Sequence, residues 1–320
     1  MKLTAIGAPE FDLAKTLDSG QVFHWEKIDN GFVGTIRDRA VYVEQDGTVL
    51  KVRCAETAPR LPRRPLPSMV AHYFALDHPL AEICASFPDD PAMNAAREFC
   101  GGLRIIRQPK WECLATFICS SMKQVGHIRQ ISRALRERFG EARKIGNHVL
   151  HAFPSPQRIA ATSEKELREC ALGYRAKNLL ATVRLVNSGA ADLEAWSALS
   201  DSELRRVLCE LPGVGAKIAN CVMLFAYERL GAFPIDVWIE RVLREKYFPR
   251  TRRLNAARLR AFTQEYFGQH GGYAQQYLFH HARTSKTRHG GRRVRQSDEL
   301  APWRAVDART RVATAVMSLR

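Results

Sequence analysis

The chain has 320 residues, 46% hydrophobic and 26% charged, the composition of an ordinary folded protein with room for two or three domains. Its 49 Lys+Arg against 33 Asp+Glu give a formal net charge of +16, which favours anionic partners, either nucleic acid or an acidic membrane surface. No apolar run is long enough to cross a bilayer, and "MKLTAIGAPEFDLAKTL" lacks the apolar core of a signal peptide, so neither a membrane partner nor export is expected.

Along the chain, residues 21–53 read as strands: "QVFHW", "FVGTI", "AVYVEQ" and "TVLKVR". Asn30-Gly31 and Asp46-Gly47 lie between them as hairpin signals. "TAPRLPRRPLP" (57–67) reads as an exposed loop. From Ser68 to about residue 283 the pattern is helical, with Leu114, Phe117, Ile118 and Ser121, then Ile128, Ile131 and Leu135, at the 3.6 period. "RERFGEAR" (136–143) ends a helix, and "LGYRAKNLLATVRLV" (172–186) reads as a turn and a basic helix. Ser200 and Glu203 form a capping box for a helix running to about Glu210. Residues 285–320 hold nine Lys+Arg and three Asp+Glu with poor periodicity, and read as a disordered basic tail.

The expected fold class is α+β. An N-terminal antiparallel sheet domain (1–102) precedes a helical region (103–283), with a helix–hairpin–helix at about 200–230 and the tail at 284–320.

The hairpin is "LPGVGAKIANC", Leu211 to Cys221. Pro212 lacks an amide proton, Gly213 and Gly215 allow unusual backbone angles, and the helix start that follows offers free amides to a phosphate. Such a grip reads the nucleic-acid backbone and carries no sequence information. Lys217 sits in the first turn of that helix, where a stabilising cation is out of place. Desolvation and the helix dipole there favour the neutral amine, the form that attacks a sugar C1′ and makes a Schiff base. A plain phosphate contact is the competing role. Asp236, in "FPIDVWIERVL", precedes a new helix and reads as its N-cap. A capped carboxylate is also placed to stabilise an oxocarbenium-like sugar or to move protons.

The eight cysteines, at 54, 84, 100, 113, 119, 170, 209 and 221, contain no CxxC pair, and none follows Cys221. That argues against zinc and against a four-cysteine iron–sulfur cluster beyond the hairpin. It fits reduced thiols in a cytosolic compartment.

"LPGVGAKIANCVMLFAYERLGAFPIDVW" resembles the signature of helix–hairpin–helix–Gly/Pro–Asp DNA glycosylases. With "SGQVFHW" (19–25), "YFALDHPLAEI" (73–83), "LRIIRQPKWECLATFICSS" (103–121), "LGYRAK" (172–177) and "YAQQYLF" (273–279), the resemblance is to the eukaryotic-type 8-oxoguanine DNA glycosylase/AP lyases, over residues 10–283. It implies a monomeric, bifunctional enzyme on damaged double-stranded DNA, with no cofactor and no metal, cytoplasmic at the nucleoid in a bacterium or nuclear in a eukaryote. Lys217 matches the nucleophile and Asp236 the catalytic carboxylate. Gly20 matches the glycine whose carbonyl accepts the N7–H of the lesion; Gln275 reads the Watson–Crick edge, and Phe279 and Cys221 flank the extruded base. Tyr174 and Arg175 match the wedge and the contact to the orphaned partner base. Met122 and His127 stand where an asparagine and an arginine commonly contact the opposite cytosine, so a relaxed opposite-base preference is expected. Trp238 stands where a histidine is familiar near the lesion's phosphate. Two alternatives stay open: a relative that removes another damaged purine, and a non-catalytic DNA-binding protein.

Overall fold

The structure, a computed structural model, describes residues 3–54, 65–121, 123–251 and 253–289. Most of the Pro- and Arg-rich segment and the tail beyond 289 lie outside them. Residues Met1–Thr284 form one compact unit, and the description below concerns that unit.

Five strands make an antiparallel sheet in the order β1-β5-β4-β3-β2: β1 (Thr4–Gly7), β2 (Glu26–Ile28), β3 (Gly31–Ile36), β4 (Arg39–Asp46) and β5 (Val49–Cys54). Val41, Val43, Leu50 and Val52 turn to one buried cluster with Leu13 and Leu17 of α1 (Leu13–Asp18) and Val70 and Tyr73 of α2 (Leu66–Tyr73). β-branched residues at alternate positions give the sheet its one apolar face.

Both signalled hairpins form, each one residue away from the expected turn. Ile28 pairs with Gly31 across Asp29-Asn30, and Asp46 pairs with Val49 across Gly47-Thr48. Gly31 is needed inside the strand: a Cβ there would lie 2.6 Å from the Val43 carbonyl oxygen. The left-handed turn residue is Asp29 instead, at φ 44°. "QVFHW" is a correction, since it is not a strand. Gln21, Val22 and Phe23 are all buried, so there is no alternation to present to a sheet, and the Gln21 amide satisfies neighbouring carbonyls itself.

The helical region begins with α3 (Leu80–Ala85) and α4 (Pro91–Phe99). At its centre, α5 (Lys110–Ser120) packs on α11 (Ala216–Tyr227). Both are apolar nearly all round because they have neighbours on every side. Around them lie α6 (Val125–Phe139), α7 (Pro156–Ala160), α8 (Glu164–Leu167), α9 (Arg175–Asn187), α10 (Asp201–Glu210), α12 (Val237–Val242), α13 (Ala256–Phe267) and α14 (Gly271–His289). The sequence read this region as helical throughout, and the structure corrects that. A two-stranded hairpin, β6 (Ala142–Ile145) and β7 (His148–His151), follows α6, turning at Gly146-Asn147. Its Ile145 and Leu150 cover Val33 and Tyr42 on the other face of the sheet.

Sheet and helices are joined by a buried ion pair. Arg136 of α6 donates to the Glu112 carboxylate of α5, to Thr35 Oγ1 of β3 at 2.9 Å and to the His151 carbonyl of β7 at 3.1 Å. His24 approaches the same carboxylate at 3.5 Å, and its Nε2 lies 2.9 Å from the Thr35 carbonyl. Burial holds the His24 imidazole well below its ordinary range, with the Arg136 charge adding to it, and raises the Glu112 carboxyl against the pull of Arg136. Arg136→Met leaves the Glu112 charge buried without its partner and should destabilise the fold by about 3–5 kcal/mol in urea denaturation.

Candidate active site

The helix–hairpin–helix forms where its punctuation places it. Ser200 caps α10 with the full capping box to Glu203, and α10 ends at Glu210. Leu211 and Val214 then anchor the loop in the core. Gly213 has φ +81°, and a Cβ on it would lie 2.8 Å from Asn178 Cβ of α9. Thr182 of α9 donates to the Pro212 carbonyl at 2.9 Å. Gly215 caps α11 in extended backbone with open space beside it. The two glycines therefore do different things: Gly213 lets the loop approach α9, and Gly215 leaves a helix start uncovered for an anion.

Lys217 is the second residue of α11 and half-buried, its Nζ 5.1 Å from the centre of the Phe117 ring on α5. Cys221, one turn on along the same helix, is buried. Burial pushes its thiol up, opposed by the Lys217 charge. Asp236 caps α12, accepting the Ile239 amide at 2.8 Å. Burial raises its carboxyl above the ordinary aspartate range; the Ile239 amide and the Lys217 charge pull the other way. Trp238, in the first turn of α12, carries the Arg241 guanidinium 5.6 Å over its ring. The structure thus brings Lys217, Cys221 and Asp236 into one electrostatic neighbourhood.

A second group forms where α14 meets the segment after α1. Gly20, at φ +84°, faces Phe279: a Cβ on Gly20 would lie 3.0 Å from that ring and 3.7 Å from Val125 Cγ2. One turn before Phe279, Gln275 is 4% exposed, and among the described residues its Oε1 has no hydrogen-bond partner. A buried amide oxygen left without a donor is costly, and here it is suited to the N–H groups of a guest. The two groups connect through the core: Gln108 donates to the Gln21 carbonyl at 2.7 Å and to the Phe225 carbonyl at 2.8 Å, and Phe225 stacks on Phe117 at 5.5 Å.

Other expected residues are placed differently. Tyr174 is 54% exposed at the start of α9, as an inserting side chain requires. Arg175 is turned inward and 6% exposed, its Nε donating to the Ser121 carbonyl at 2.7 Å and its guanidinium 4.4 Å from the Tyr174 ring. His127 is exposed in the first turn of α6. Met122 lies outside the described residues. Phe117 and Val125, which meet Lys217 and Gly20, were not singled out from the sequence; their only signal was apolar periodicity, which equally describes core.

Residues 4–114 match the family described as 8-oxoguanine DNA glycosylase, N-terminal domain, and residues 115–265 match the HhH-GPD superfamily of base excision DNA repair proteins. The N-glycosylase/DNA lyase of Arabidopsis thaliana is 30% identical over 84% of this chain and 77% of that protein. A probable N-glycosylase/DNA lyase of Methanothermobacter thermautotrophicus is 26% identical over 86% of this chain and 95% of that one. The 8-oxoguanine glycosylase/lyase of Clostridium acetobutylicum, solved with double-stranded DNA containing cytosine opposite 8-oxoguanine, superposes with a TM-score of 0.80 at 28% identity, covering 89% of this chain and 100% of that one.

The half-buried carboxylate of Asp236 has a stability consequence. A carboxyl whose folded pKa lies above its unfolded value costs nothing below the unfolded pKa and destabilises increasingly as pH rises through the folded one. Asparagine caps a helix about as well as aspartate. Asp236→Asn should therefore melt at or above the parent temperature at pH 7, with the difference vanishing near pH 3, in calorimetry across pH.

Proposed function

Because the chain belongs to the N-glycosylase/DNA lyase family, with its 8-oxoguanine glycosylase N-terminal domain and helix–hairpin–helix repair region, we propose that it excises 8-oxoguanine from duplex DNA and then cleaves the strand at the resulting site. The observation that carries the assignment to residues is the convergence of Lys217, at an uncovered helix start, with the half-buried carboxylate of Asp236.

In this reading the hairpin holds a phosphate through the amides at the start of α11, with Gly213 and Gly215 keeping side chains out of the way. The target nucleotide leaves the stack, Tyr174 fills the gap, and Arg175 turns from Ser121 to the orphaned base. The base enters between Phe279 and Cys221. Its N7–H, which guanine lacks, donates to the Gly20 carbonyl, and Gln275 takes up the Watson–Crick edge through the oxygen that otherwise has no partner. Trp238 and His127 lie along the DNA path.

The Lys217 amine, as free base, attacks C1′. The C1′–N9 bond breaks and its electron pair departs with the base, which is protonated at nitrogen. Opening of the sugar gives the iminium at C1′, loss of a C2′ proton follows, and the C3′–O bond breaks to release the 3′ strand. Asp236 stabilises positive charge on the sugar and accepts the proton the amine sheds. Its raised carboxyl makes it a better base than an exposed aspartate. The protein acts as a monomer, at the nucleoid of a bacterium or in the nucleus of a eukaryote, and the steps use this chain's own side chains and no cofactor.

Borohydride should trap a covalent adduct on an 8-oxoguanine·cytosine duplex, and Lys217→Gln should abolish it while binding persists. Binding with no adduct by the parent protein would instead favour a non-catalytic DNA-binding role. Run against all four opposite bases, the same trap should show a weak cytosine preference, because neither Met122 nor His127 supplies the asparagine and arginine contacts; a strong preference would overturn that part of the reading.

A further inference from the structure

We propose that Gln276 and Gln108 are positioning residues for lesion recognition: they clamp the peptide groups on either side of Gly20 and so aim its carbonyl. The inference rests on the reading of Gly20 as the residue that distinguishes 8-oxoguanine. Its observations are independent of that reading.

Three successive peptide planes run through Ser19, Gly20 and Gln21. The Ser19 carbonyl accepts from Gln276 Nε2 of α14 at 2.8 Å, and the Gln21 carbonyl accepts from Gln108 Nε2 at 2.7 Å. Among the described residues no donor is bonded to the carbonyl between them, that of Gly20. Peptide planes are rigid, and a chain has two soft dihedrals per residue. Fixing the planes before and after Gly20 leaves the middle carbonyl little freedom, at a residue whose φ of +84° only glycine adopts without strain.

The clamp is itself held. Gln276 is 3% exposed. Gln108 is anchored at its backbone by the Phe225 carbonyl of α11, the helix that carries Lys217. Gln21 completes the frame, donating to the Arg104 carbonyl and accepting the Ile106 amide at 2.7 Å. Neighbouring positions on α14 thus divide the work: Gln275 offers the guest an oxygen that has no partner among the described residues, and Gln276 donates its amide to the Ser19 carbonyl.

An aimed acceptor matters for recognising the base and not for strand cleavage once the base is gone. The test is Gln276→Met, which keeps length and volume and removes the donor, beside Gln108→Met at the other end of the clamp. Single-turnover excision of 8-oxoguanine and strand cleavage at a preformed abasic site are measured on each. Excision should fall about ten- to a hundredfold, the scale of a misplaced reacting group. Abasic-site cleavage should stay within about twofold, since the side-chain amides removed bond only the Ser19 and Gln21 carbonyls, the backbone bond of Gln108 to α11 is kept, and Lys217 is untouched. The ratio of 8-oxoguanine to guanine excision should fall as well. Equal loss of both activities, or excision unchanged in both variants, overturns the clamp. If one variant does not fold, the other carries the test. A parent protein that cleaves abasic DNA but leaves 8-oxoguanine in place would overturn the reading of Gly20, a result distinct from failure of the clamp.

Discussion

The ion pair between Glu112 and Arg136 is the contact on which the candidate site's geometry depends. A charge buried in a protein is tolerated only when it is paired and hydrogen-bonded. Here one guanidinium meets that demand with groups from α5, β3 and β7, while His24 approaches the same carboxylate from the segment that follows Gly20. The elements that converge on this pair also carry the site. Gly20 lies four residues before His24, Phe117 lies five after Glu112 on the same helix, and Val125 opens the helix of Arg136. Strain or loss at the pair would reach both parts of the site together.

In the proposed reading, those two parts separate recognition from reaction. Lys217 and Asp236 sit at the starts of α11 and α12, where helix ends set local charge, and Cys221 lies one turn further along α11. Gly20, Gln275 and Phe279 lie where α14 meets an irregular segment, and buried amides there set hydrogen-bond direction. The first group suits bond making and the second suits discrimination. They meet through Phe117, Phe225 and Gln108, a chain of packed rings and one amide.

Much of this was legible in the sequence where a local rule governs. The Ser200 capping box, the end of α10 at Glu210 and the hairpin glycines follow from chemistry within a few residues, and all appear as read. Asp236 is the N-cap its position announced. What was not legible depends on distant partners. "QVFHW" has the composition of a strand, but its bonds go to residues some eighty positions away, so the ladder never forms. The β6–β7 hairpin is short and charged, and it exists because Ile145 and Leu150 have a sheet face to cover. Phe117 looks like core and is core; that its ring face also meets Lys217 is a fact of packing between two helices about a hundred residues apart. The inward turn of Arg175 is likewise decided by a carbonyl at residue 121.

That inward turn bears on how such a protein samples an undamaged duplex. A guanidinium committed to the Ser121 and Leu172 carbonyls keeps its charge but is turned away from direct phosphate contact while it stays there. To face outward it must give up both bonds, and two backbone carbonyls must find water. Any contact it then makes counts only as the difference between the outer and inner sets. Such an exchange contributes little to affinity for ordinary sequence and more to contrast between sites, so residence time on DNA becomes sensitive to what the side chain finds outside.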